Sequence, residues 1–165
     1  MFAFTKNKKL LTTLLILLFF SLNLNHSNAA SGGGSEKSET SLYKSGEKLV
    51  IRAKKLEKKN KIEKANKLYL KAYAKFEKAY KKNKKSADIL NYLGYTLRKT
   101  GSLEKAEKFY LEGLKLEAGH FGLNEYLGEL YVQTGRIELA KERLKVLDGC
   151  KCEEYDELKE LIEKN

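Results

Sequence analysis

One pattern is written twice at a fixed offset in this chain, and that repetition restricts the possible folds more than any other feature. Leu93-Gly94 recurs as Leu127-Gly128, Thr100-Gly101 as Thr134-Gly135, and Leu103 as Ile137. Ala106 recurs as Ala140 and Tyr110 as Leu144, every offset being 34 residues. A period of that length marks a supersecondary unit that cannot bury its own apolar face. Stacking the units against one another completes the core.

A third copy lies upstream in degenerate form. Asn60 to Tyr69 matches Gly101 to Tyr110 in residue type, with Asn60 standing where Gly101 and Gly135 stand. Asn is the usual substitute where a helix must end in a left-handed residue. Counting back places Leu49, Ala53 and Leu56 on the inner stripe of a preceding helix. The spacing from Asn60 to Gly101 is 41 rather than 34. Seven extra residues are almost two turns and rotate the apolar face by only about 20°. Ala65, Tyr69, Ala72, Phe76, Ala79 and Tyr80 hold an i, i+3/i+4 stripe throughout. One long helix is therefore expected from Ile62 to about Lys82.

Ser86 and Ser102 are positioned to cap the helices Ala87–Thr100 and Leu103–Glu117. The third hairpin is expected over 122–134 and 136–147, with Gly149 ending it. No proline occurs anywhere, so Gly and Asn must do the terminating. A last helix from Glu153 to Lys164 carries Tyr155, Leu158, Leu161 and Ile162 on one side, as a solenoid cap requires.

These residues resemble the tetratricopeptide repeat (TPR), with its Leu-Gly, its small Ala and its aromatic at set positions. The sequence departs from it where Leu90 and Asn124 replace the first aromatic, Ala118 and Cys152 the closing proline, and Arg52 a leucine. The resemblance implies an all-α, TPR-type α-solenoid of about three antiparallel helical hairpins, the first with a second helix two turns longer. Repeats are expected at 46–86, 87–120 and 121–152, with the capping helix at 153–164, all within a domain spanning 43–165. It also implies that Gly94 and Gly128 let paired helices approach, against Ala106 and Ala140. The family's concave face, lined by first helices, would expose Val50, Lys54, Asn91, Tyr95, Arg98, Glu125, Glu129, Val132 and Gln133. Tyr and Arg are hot-spot residues at interfaces, and an Asn can bond an extended backbone in both directions. The basic clamp that cytosolic TPR chaperone adaptors use for a C-terminal carboxylate is not reproduced, because Glu125 and Glu129 would repel it.

Ahead of this domain, Lys6, Lys8 and Lys9 precede an apolar run from Leu10 to about Leu24, and Ser27-Asn28-Ala29 closes it. That is the layout of a signal peptide over residues 1–29. The run is shorter than the roughly 20 apolar residues that span a bilayer. An exported, periplasmic or secreted protein is expected, with residues 30–42 as a flexible Gly/Ser linker. Charge is segregated: residues 44–85 hold 17 Lys/Arg against 4 Asp/Glu, and residues 86–165 hold 12 against 16. Lys64, Lys67, Lys71, Lys75 and Lys78 line the polar face of the long helix. They offer an alternative activity, binding a polyanion or an anionic membrane surface.

Sites of chemistry are absent from the sequence. His120 is alone in a turn, and no phosphate loop, nucleophile elbow or metalloprotease helix occurs. Glu153, Glu154, Asp156 and Glu157 sit where acidic residues favour a helix dipole. No enzyme, metal or cofactor is expected. Cys150 and Cys152, the only cysteines, admit a local disulfide, an intermolecular one, or a soft-metal site. The expected function is a non-enzymatic adaptor that binds a protein or peptide partner.

Overall fold

The computed structural model describes residues 32–165. Contacts divide the chain into Met1–Ser35 and Glu36–Asn165, and the solenoid is the second of these. The signal peptide expected over residues 1–29 lies outside the described residues. Seven helices follow in order: α1 (Gly32–Glu57), α2 (Ile62–Lys82), α3 (Ala87–Lys99), α4 (Leu103–Leu116), α5 (Phe121–Gln133), α6 (Ile137–Val146) and α7 (Glu153–Glu163). There is no strand among the described residues. None of these helices is long and apolar enough to cross a membrane.

The helices pair as α1/α2, α3/α4 and α5/α6, with short turns between partners. Three turns are set by left-handed residues at the expected places: Asn60 at φ +55°, Gly101 at +86° and Gly135 at +73°. Only glycine adopts this conformation without cost, and Asn is the next best. Ser86 caps α3, its hydroxyl accepting from the Ile89 N–H at 3.3 Å. Ser102 makes no such bond. His120 instead proves to be a cap: its Nδ1 accepts from the Leu123 N–H at 3.2 Å and starts α5.

α1 begins earlier than its composition suggests. The stretch read as a flexible linker, from Gly32 to Leu42, continues α1. Leu42, Tyr43 and Val50 pack into the first core cluster. That packing supplies the costly helix nucleus, and each further N-terminal residue then adds a bond at little expense.

Two apolar clusters run through the stack. The first joins Ala53, Ala65, Tyr69, Phe76, Ile89 and Leu93 across α1, α2 and α3. The second joins Ala106, Tyr110, Leu123, Leu127, Leu130 and Ala140 across α4, α5 and α6. Each large side chain so buried contributes about 1.5–3 kcal/mol. The two extra turns of α2 brace the next repeat: the Tyr80 hydroxyl donates to Glu112 at 2.5 Å and its ring meets Phe109 edge-on.

Gly94 and Gly128 do sit at helix contacts, but their partners are not the expected alanines. A Cβ on Gly94 would collide with the Tyr110 ring of α4. One on Gly128 would lie 2.5 Å from Leu158 of α7. The small residue makes room for a large opposing side chain, which explains a glycine mid-helix despite its cost of about 1 kcal/mol. α7 packs on α5 as α5 packs on α3, so the cap occupies the slot of a fourth first helix.

Candidate functional site

α1, α3, α5 and α7 stand side by side, and their shared face holds an open cavity of about 210 Å3. Lys54, Glu57 and Lys58 come from α1, and Tyr95, Arg98 and Lys99 from α3. Tyr126 and Glu129 come from α5, and Glu157 from α7.

The floor is aromatic. The Tyr95 ring packs against Tyr69 at 5.8 Å and Tyr126 at 4.8 Å between centroids. Lys54 Nζ lies 5.1 Å from the Tyr95 centroid and 5.9 Å from that of Tyr126, and the Arg98 guanidinium lies 5.7 Å from both. Cations over aromatic faces gain more as they are desolvated. Arg98 also pairs with Glu129 across α3 and α5. Lys99 reaches back to Glu57 at 2.9 Å, and Glu57 in turn accepts from the Tyr69 hydroxyl at 2.8 Å.

At the α5/α7 seam, carboxylate oxygens of Glu125, Glu129 and Glu157 lie within 4.8 Å of one another. Glu125 is only 3% exposed. Burial, a hydrogen bond with Glu157 and the charges of Glu129, Glu157 and Glu154 push its carboxyl from the ordinary 4.5 up to about 9. At neutral pH Glu125 is therefore the proton-carrying member of this group.

Five residues assigned to the concave surface are instead buried. Val50 belongs to the first core cluster and Val132 to the second. Asn91 is 7% exposed and lies outside the cavity lining, and Tyr95, 4% exposed, reaches the cavity only as part of its floor. Glu125 lies beneath Glu129 rather than beside it in solvent. Gln133 is exposed but lies outside the cavity lining, whereas Lys54, Tyr95, Arg98 and Glu129 line it.

Glu57, Lys58, Lys99, Tyr126 and Glu157 were not expected in the groove. Tyr126 stands one period after Tyr92, and Glu157 became visible only with α7 in a first-helix slot. Continuing the 34-residue count past Gly128 would have signalled that placement. Asn124 is buried and structural: its Nδ2 donates to the carbonyls of Ala118 and His120 at 2.9 and 3.0 Å. On α2, Lys64, Lys67, Lys71 and Lys78 are exposed, Lys75 is half-buried, and none of the five pairs with a carboxylate among the described residues. Cys150 and Cys152 are joined in a disulfide, Cα atoms 5.2 Å apart, with Lys151 left-handed at φ +51° between them.

A tetratricopeptide-repeat family model matches residues 75–108, from the second half of α2 into α4. No curated protein sequence matches the chain. Among solved structures, a tetratricopeptide repeat protein from Parabacteroides merdae is 17% identical. That match covers 73% of this chain and 60% of that one, with a TM-score of 0.52. The Arabidopsis OM64 TPR domain is 13% identical over 74% of this chain and 98% of that one, at 0.49. The Yersinia enterocolitica type III secretion chaperone SycD, in complex with a peptide of the translocator YopD, is 20% identical over 72% and 86%, at 0.47. The architecture is an all-α solenoid of TPR type.

Proposed function

We propose that this chain is a non-enzymatic adaptor, exported to the cell envelope, that binds an extended protein or peptide segment along the α1/α3/α5/α7 face. The observation that carries this reading is the cavity itself, open to solvent and built by side chains from four alternate helices. An inside curve of this kind is where helical-hairpin solenoids present a binding surface. Export rests on the layout of residues 1–29.

A photo-crosslinking amino acid at position 58, compared with one at position 78, tests the proposal in intact cells. Crosslinks to one protein from position 58 alone support the groove. Crosslinks from position 78 alone favour the alternative reading, in which the exposed, unpaired lysines of α2 contact an anionic surface. That alternative also predicts binding that fades steeply between low and moderate salt.

A further inference from the structure

The charges of the groove are sorted. Lys99 with Glu57, and Arg98 with Glu129, neutralise one another across adjacent helices. Subtracting those pairs leaves Lys54 and Lys58 on α1 at one end. At the other end remains Glu157 on α7, with the protonated, uncharged Glu125 buried behind it. Between them Arg98 forms part of the floor, its side chain 10% exposed. Its Nε, buried, has no hydrogen-bond acceptor.

We propose that the groove selects an extended segment of mixed charge. An acidic side chain sets against Lys54 and Lys58, and a Lys or Arg side chain meets Glu157. This rests on the groove being the binding face and adds the chemistry of what enters it. One cavity spans both ends, so the two partner charges stand a few residues apart. At about 3.3 Å per extended residue, a separation of two to four residues covers roughly 10 Å. Opposed charges at two ends fix register and exclude single-sign sequences through repulsion at the wrong end. A uniformly acidic tail meets Glu157, and a uniformly basic one meets Lys54 and Lys58.

The test is fluorescence anisotropy of the full chain with labelled octapeptides identical but for two positions three residues apart. Those positions are Glu and Lys, both Glu, both Lys, or both Gln. The mixed peptide is expected to bind at least tenfold more tightly than the other three. Glu157→Lys is expected to transfer the preference to the all-Glu peptide, and Lys58→Glu to the all-Lys peptide. Both positions are exposed, so the variants should fold, which circular dichroism checks. Equal binding of the Gln and mixed peptides at the groove overturns the charge-order proposal and leaves the groove reading standing. Preferences that ignore both charge swaps, with crosslinks mapping away from position 58, overturn both.

Discussion

Replacing Glu125 by Gln should stabilise this protein, and by an amount that depends on pH. The carboxyl is 3% exposed, and its titration is raised from 4.5 to about 9 by burial and by Glu157, Glu129 and Glu154. In the unfolded chain the same group ionises freely above pH 4.5. Between these values the native state holds a proton that the unfolded state has released, so stability falls as pH rises. Below about 4.5 the group is neutral in both states and nothing is lost. Each unit of separation is worth about 1.4 kcal/mol, giving a cost of roughly 3 kcal/mol at pH 7. Gln keeps the shape, stays neutral in both states and can still donate to Glu157. Urea denaturation of both proteins from pH 4.5 to 8.5 should show curves that coincide at the acid end. They should separate progressively, the variant becoming more stable by about 3 kcal/mol at pH 7. The difference between the proteins isolates Glu125 from every other titrating group. Parallel curves across that range, or a variant less stable at pH 7, would refute the assignment of the proton.

Other perturbations follow from the packing. Gly94→Ala places a methyl against the Tyr110 ring and should lower stability by about 1–3 kcal/mol in denaturant melts; a neutral result would mean the ring has room to retreat. Tyr95→Ala empties the space between Tyr69 and Tyr126 and should cost about 3–5 kcal/mol, a melting loss rather than a pure binding loss. Ser86→Ala should cost about 1 kcal/mol, whereas Ser102→Ala should change stability by a few tenths at most, because only Ser86 accepts a capping bond. Equal costs at the two serines would contradict the assigned caps.

The helix plan was legible because it depends on local rules. The 34-residue offset, the Asn60, Gly101 and Gly135 turns, and the stripe from Ala65 to Ala79 each act within a turn or two of chain. What a residue meets across the stack was not. Gly94 was matched with Ala106 because both are small, yet close packing sets a gap against a bulk, and Tyr110 fills it. Tyr95 and Asn91 follow the period of surface positions, but the rotation of α3 against α1 and α5 covers them. The groove's ion pairs, Glu57 with Lys99 and Arg98 with Glu129, join residues 42 and 31 positions apart. No periodic pattern selects these partners among so many charged side chains. The N-terminal part of α1 has no apolar period and nothing of its own to bury, so it looks like a linker, whereas the helix extends from packing further along.

The central claim is that a partner lies along the first-helix side of the stack. Amide chemical-shift mapping of the isotope-labelled protein, titrated with the mixed-charge octapeptide, tests it most directly. Perturbations should concentrate around Lys54 and Lys58 of α1, Tyr95 to Lys99 of α3, Tyr126 to Glu129 of α5 and Glu157 of α7. Shifts gathered on the lysines of α2, with the groove unmoved, would contradict it.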